Sequence, residues 1–280
     1  MKLALNGATT MRADLATDLL AAQSAGYDYL EIWAAKLRAF LKQNSIADLQ
    51  ALFNTHQVPP LSINSIEHIT FRDETAYQQI KQQCDELCSI AGQINCPYVV
   101  VVPGRLPASG ANENEIKTES VRVLNELADI AAAYNVSLAF EFLGQKDCSV
   151  QTLAQANEIV KAVGRQNVGL IIDSFHFYAG GSSLDMIESV APDSIYVFHL
   201  NDSEDRPREE LEDRHRLYPG SGILPLSEMF RAFRRIGYDR VASIEIFRPE
   251  YWEMDPIRVA RDARLAATRV MEKSASVVAQ

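Results

Sequence analysis

The sequence predicts an α/β protein folded as one (β/α)8 barrel over residues 1–280, and three observations point there. Strand-like and helix-like stretches alternate along the chain, which favours a parallel sheet built from βα units. Eight units in 280 residues average 35 residues each, which suits such a barrel. Four apolar strand-like runs close on an acid or a histidine, and a barrel gathers the C-terminal ends of its strands on one face. No Pro/Gly-rich linker or shift of composition divides the chain. A doubly wound open sheet is the competing architecture. It would want a Gly-rich phosphate turn after the first strand, and Asn6-Gly7-Ala8-Thr9-Thr10 is not one.

Strand one is Leu3–Asn6, and helix one runs from about Leu15 to Ala25. Strand two is Tyr29–Trp33. Helix two starts near Ser45, where Ser45-x-x-Asp48 has the form of a capping box, and ends by His56 ahead of Pro59 and Pro60. Strand three is Leu61–Asn64, helix three is Glu74–Ile90, and strand four is Tyr98–Val102. Helix four covers Glu113–Tyr134, with Val123, Leu127, Ile130, Ala131 and Tyr134 on one face. Strand five ends at Glu141, and helix five is about Val150–Val163. Strand six, Val168–Asp173, is apolar enough to be buried on both faces. After Gly180-Gly181-Ser182-Ser183 comes a shorter helix six, Leu184–Val190. Strand seven ends at His199, and a long charged loop spans Asn201–Gly222. Helix seven is Leu226–Ile236, ended by Gly237 as C′ glycines do. Strand eight ends at Glu245. Helix eight opens at Asp255-Pro256 and runs to about Lys273, leaving a frayed tail, Ser274–Gln280.

Composition narrows the function classes. The formal net charge is −10, with a pI of about 5.1, which argues against a nucleic-acid partner. No apolar run approaches the ~20 residues needed to span a bilayer, so no membrane role is expected. The N-terminus enters a strand directly, without a signal peptide's apolar region and cleavage site, and a cytoplasmic location is expected. Cys84, Cys88, Cys96 and Cys148 form no paired CxxC set and read as small buried thiols in a reduced compartment.

Glu141, Asp173, His199 and Glu245 close four consecutive strands and should converge on one point. Alone, each would read as an N-cap, a salt-bridge partner or a hydrogen-bonded core residue. Together they read as the ligands of one divalent metal ion. Three carboxylates and an imidazole form an oxygen-rich set that favours Mn²⁺, with Mg²⁺, Co²⁺ and Zn²⁺ as alternatives. His176, three residues past Asp173, reads as a further ligand, a substrate contact or a solvent-facing residue at the head of the loop, and substrate contact is the expectation. Arg216 precedes Pro219-Gly220-Ser221-Gly222, a turn expected to fix its direction, and can neutralise the acids or bind substrate oxygens. Trp33 is placed either over a sugar-like ring or in core packing. Glu31, inside strand two, is expected to meet an Arg, a Lys or a backbone donor, because an unpaired buried acid is costly. Glu141 and Glu245 on one metal suggest proton transfer beside a carbonyl, one removing the α-proton and the other returning one. The substrate expected is a small polyol ketone. The oligomeric state is open, a homo-oligomer included.

The chain resembles the sugar phosphate isomerase/epimerase family, the xylose-isomerase-like TIM barrels. Glu141, Asp173, His199 and Glu245 match that family's metal positions, and Asp173-Ser174-Phe175-His176 matches its Asp-x-x-His motif. Arg216 ahead of Pro219-Gly220 matches a substrate-binding arginine of the ketose epimerases. Within the family the similarity is to the bacterial inosose isomerases of myo-inositol breakdown. It lies in Met1-Lys2-Leu3 with Asn6-x-Ala8-Thr9-Thr10, in Gly26-Tyr27-Asp28-Tyr29-Leu30-Glu31-Ile32, in Asn167 through Phe177, and in Glu245-Ile246-Phe247-Arg248-Pro249-Glu250-Tyr251. The resemblance implies interconversion of 2-keto-myo-inositol and 1-keto-chiro-inositol through a metal-bound enediolate. Ketose 3-epimerases tend to carry Glu-Pro-x-Asn-Arg after strand five, where this chain has Glu141-Phe142-Leu143-Gly144-Gln145. The alternatives on the same barrel are a dehydratase of an inosose or 3-dehydroshikimate, a ketose 3-epimerase, a hydroxypyruvate isomerase and a non-catalytic binding protein. An apurinic-site endonuclease would need further histidines near Trp33 and Asn64.

Overall fold

A computed structural model describes residues 1–276. In chain order the elements are β1 (Lys2–Asn6), α1 (Leu15–Ala25), β2 (Tyr29–Trp33), α2 (Ala34–Leu41), α3 (Ile46–His56), β3 (Pro60–Ile66) and α4 (Glu74–Gln93). Next come β4 (Tyr98–Val101), α5 (Glu113–Ala132), β5 (Ser137–Glu141), α6 (Leu153–Val163), β6 (Val168–Asp173), α7 (Ser174–Ala179) and α8 (Leu184–Glu188). The last are β7 (Ile195–Leu200), β8 (Asp202–Ser203), β9 (Arg216–Leu217), α9 (Leu226–Ile236), β10 (Val241–Ile244), α10 (Pro249–Trp252) and α11 (Pro256–Ser276).

Eight parallel strands close in the order β1-β10-β7-β6-β5-β4-β3-β2, as the alternation predicts. The larger core lies between this barrel and its helices, and a smaller one fills the barrel. Inside, Ala4, Leu61, Val100, Ala139, Ile171, Val197 and Val241 pack below the mouth, with the Tyr98 and Tyr196 rings stacked 4.7 Å apart. Gly169 makes room for that stack, because a Cβ there would lie 2.5 Å from the Tyr196 ring. Side chains on a strand alternate faces with a period of two. Two residues beyond Ala139, Ile171, Val197 and Ser243 therefore lie Glu141, Asp173, His199 and Glu245, on the same side and at the mouth.

Helix ends follow local chemistry. Ser45 with Asp48, Asn112 with Glu115 and Thr152 with Gln155 form capping boxes. The last of these starts α6 at Leu153 rather than Val150. Strict alternation does not hold. Three short helices, α2, α7 and α10, follow the strand ends and build the mouth of the barrel. Asp173 starts α7 by accepting the His176 N–H at 2.8 Å. The tail expectation is partly overturned: α11 continues through Ser276, Ser274 is buried, and Arg234 donates to its carbonyl. Residues 277–280 lie outside the described residues. Among the described residues no helix is long and apolar enough to cross a membrane.

Candidate metal centre

Glu141, Asp173, His199 and Glu245 each offer one ligand atom, and these four atoms all lie within 4.8 Å of one another. All four residues are buried. His199 Nδ1 faces Glu141 Oε1 at 2.9 Å, Glu245 Oε2 at 3.2 Å and Asp173 Oδ2 at 3.9 Å. Burial disfavours a charged imidazole, but the carboxylates of Glu141, Glu245 and Glu31 outweigh it and hold the His199 pKa well above its ordinary value. The glutamates differ. Glu245 Oε1 accepts the Asn6 and Asn64 amides at 3.0 and 2.9 Å, and its Oε2 accepts Arg216 Nη1 at 3.0 Å. Burial works against its ionised form, but His199 and Arg216 hold its pKa below the usual value. Burial pushes the Glu141 carboxyl up to about 8, and Glu245 and Asp173 add to this against the pull of His199.

Arg216 lies fully buried between the Phe175 and Phe247 rings, its guanidinium carbon 5.0 and 5.1 Å from their centroids. Nη1 donates to Asp173 Oδ2 at 2.8 Å, and Nη2 donates to His176 Nε2 at 3.0 Å and Asp213 Oδ1 at 2.9 Å. An arginine can only donate, so His176 Nε2 is the acceptor and the ring hydrogen sits on Nδ1. Among the described residues that Nδ1 has no partner. Burial, then the Arg216 charge, lowers the His176 pKa against the pull of Asp173 and keeps the ring neutral.

The Pro-Gly-x-Gly turn does not aim Arg216 directly. Within the charged loop, β8 and β9 pair antiparallel, with Ser203 opposite Arg216. Asp202 accepts the backbone N–H groups of Gly220, Gly222 and Leu224, each at 2.9 Å. The turn thus folds around the Asp202 carboxylate, and the strand pair carries Arg216 inward. At Gly222 a Cβ would lie 2.0 Å from the Ser203 carbonyl oxygen, so the turn closes only without a side chain there.

Beside the ligand atoms is a cavity of about 250 Å³, whose lining includes Trp33, Glu141, His176, Arg216, Glu245 and Phe247. Trp33 meets Phe247 edge-on, 5.6 Å between ring centroids, so it both packs and lines the cavity. A larger cavity of about 530 Å³ lies away from this chemistry, against Phe53, Pro59 and Asn95. The expected partner for Glu31 is corrected. Among the described residues it meets no Arg or Lys but His199 Nε2 at 3.1 Å, Ser243 Oγ at 2.6 Å and Asn64 Nδ2 at 3.3 Å. Sequence reasoning also missed Asn6, Asn64 and Asn201. Asn201 Nδ2 donates to Asp173 Oδ2 at 2.9 Å. Their signal was present: polar residues at or just beyond strand ends, where the acids also lie.

The donor set fits a divalent cation. Ionised together, the buried carboxyls of Glu31, Glu141, Asp173 and Glu245 would carry four negative charges against at most two on Arg216 and a protonated His199, and burial with this crowding keeps the proton on Glu141. Buried charge of one sign needs a counter-charge, and hard oxygen donors with one imidazole suit a divalent ion.

A sequence model of the xylose isomerase-like TIM barrel matches residues 19–269. An inosose isomerase of Bacillus velezensis is 39% identical, covering 98% of each chain. The inosose isomerase of Bacillus subtilis is 38% identical, covering 98% of this chain and 99% of that one. A crystal structure of the IolI protein with a zinc atom matches with a TM-score of 0.94 at 38% identity, covering 98% of this chain and 99% of that one.

Proposed function

Since the chain belongs to the xylose isomerase-like TIM-barrel family, we propose that it is a metal-dependent isomerase of a polyol ketone, converting 2-keto-myo-inositol to 1-keto-chiro-inositol. One observation carries the chemistry. Two glutamates from separate barrel strands, Glu141 and Glu245, reach the same imidazole nitrogen beside a cavity of about 250 Å³. The full-length similarity to proteins named inosose isomerase supports the substrate.

Glu141, Asp173, His199 and Glu245 are the residues that would hold the ion. Bound there, a divalent ion supplies Lewis acidity that lowers the cost of negative charge on the substrate's carbonyl oxygen. Mn²⁺ is the ion we assign on donor hardness. Glu245 has both carboxylate oxygens tied by donors, whereas Glu141 has His199 as its hydrogen-bond partner. Glu141 is therefore the stronger base and takes the proton from the carbon beside the ketone; Glu245 serves the return transfer. His176 lines the cavity and is placed to contact a substrate hydroxyl. Arg216 keeps that imidazole neutral and limits repulsion between Asp173 and Glu245. Trp33 and Phe247 give the cavity an apolar wall for a ring's carbon face.

Proton NMR of the metal-loaded protein with 2-keto-myo-inositol in D₂O tests the reading. Deuterium beside the ketone together with a second inosose is expected. Exchange followed by loss of water assigns a dehydratase instead. No exchange, with metal bound, removes this substrate.

A further inference from the structure

We propose that Glu31 is a positioning residue of the metal centre: it holds His199 so that Nδ1, and not Nε2, is the nitrogen presented to the ion. The inference rests on His199 being a ligand, as proposed above. Glu31 is fully buried, and its two oxygens lie 3.2 and 3.1 Å from His199 Nε2. Both ring nitrogens face carboxylates and carry hydrogens while the imidazole is charged, but Glu31 lies outside the ligand cluster, so it keeps the hydrogen on Nε2 while a bound ion would replace the hydrogen on the other nitrogen. That other nitrogen, Nδ1, is the one facing Glu141, Asp173 and Glu245. Glu31 is not among the four residues whose ligand atoms gather within 4.8 Å, so it acts through the imidazole.

Glu31 is itself held in place. Ser243 Oγ donates to its Oε2 at 2.6 Å, and Asn64 Nδ2 reaches its Oε1 at 3.3 Å. The same Asn64 amide donates to Glu245 Oε1 at 2.9 Å. Residues of β2, β3, β7 and β10 thus share one hydrogen-bonded network beneath the ligand atoms. A ring fixed at both nitrogens cannot rotate away when the ion leaves. An Ala at position 31 would leave Nε2–H without an acceptor in a dry core.

The test is zinc competition against a chromophoric chelator, with ¹⁵N-histidine NMR of the zinc-loaded protein, on wild type, Glu31→Gln, Glu31→Ala and Ser243→Ala. We expect His199 to bind zinc through Nδ1 with Nε2 protonated in wild type. Glu31→Ala should weaken zinc binding about 10–100-fold, in the range seen on removing outer-shell partners of metal ligands. Glu31→Gln, which keeps an acceptor, should lose less, and Ser243→Ala least. Melting of the metal-free proteins identifies variants that do not fold; Glu31→Gln, close to isosteric, decides if Glu31→Ala is one of them. Zinc bound through Nε2 in wild type overturns the inference. Unaltered zinc affinity in folded Glu31 variants overturns it too, while leaving the metal centre standing. No response of His199 to zinc in wild type removes the metal centre itself, and this inference with it.

Discussion

Asp18 and Lys36 form one buried ionic cluster, and Glu31, Glu141, Asp173, His199, Glu245 and Arg216 form another. In the first, Lys36 Nζ donates to the Gly7 and Thr10 carbonyls, each at 2.8 Å, and to Asp18 Oδ2 at 2.7 Å. Thr10 Oγ1 donates to Asp18 Oδ1 at 2.7 Å. Burial pushes the Asp18 carboxyl up to about 7 against the pull of Lys36 and Thr10, but one acid here faces one base, and the ammonium's three hydrogens each have an acceptor. In the second cluster, ionising all four carboxyls would leave two negative charges uncovered, and Glu141, poorly supplied with donors, holds its proton up to about 8 instead. The first arrangement is complete as folded and ties β1, α1 and α2 together. The second is complete only with a cation. Full satisfaction of buried charge marks a structural site, and deficit marks a functional one.

The largest effect should separate the two clusters. Glu141→Gln is expected to slow deuterium exchange into the substrate by about 10²–10⁴-fold, the usual worth of a positioned acid or base. The metal-free variant should be no less stable than wild type, because Glu141 is already held neutral there by burial and its acidic neighbours and the amide is close to isosteric with the protonated acid. A metal-free variant that melts well below wild type would show Glu141 to be structural. Next, Lys36→Met strands Asp18 in the core and should cost about 3–5 kcal/mol of stability in urea unfolding. Zinc affinity of the folded variant should stay at the wild-type value; a change there would join the clusters that the comparison separates. Third, zinc or manganese at about 100 times its dissociation constant should stabilise the protein by about 2.7 kcal/mol, reversed by chelator. Calorimetric melting with and without metal measures this, and the Lys36→Met protein should gain as much as wild type.

The smallest effect is on pH. In the metal-free protein Glu141 keeps its proton up to about 8, whereas in the unfolded chain it loses it near 4.5. The folded state therefore binds more protons in that window, and metal-free stability should fall as pH rises through it. His199, raised above its ordinary value, acts in the same direction: its contribution is present below that value and lost as pH rises through the raised one. Metal displaces these protons, so the metal-induced rise in melting temperature should grow from about pH 5.5 to about pH 8. A rise that is flat across that range would mean the site is already deprotonated when empty.

Much of this was legible in the chain. The alternation predicts the closed barrel, and the period of two within each strand puts Glu141, Asp173, His199 and Glu245 on one side at one level. His176 is legible because a short spacing past Asp173 keeps it on the turn that Asp173 caps. These are local signals, carried by apolar runs and by spacing of a few residues, and the backbone's geometry converts them to positions without knowledge of the rest.

Charge pairing is not local. Glu31 and His199 are 168 positions apart, and which base meets which acid is decided only when the sheet closes. The direction of Arg216 depends on Asp202 gathering three backbone N–H groups of a later turn. Lys36 finds Asp18 because α2 follows β2 without a connecting loop and lies against α1. In each case a buried charge is stabilised by whatever group lies within hydrogen-bond distance, and that distance exists only in the closed barrel. The fold and the convergence of the four candidate ligands were set by residue order; the balance of charge around them was set by packing.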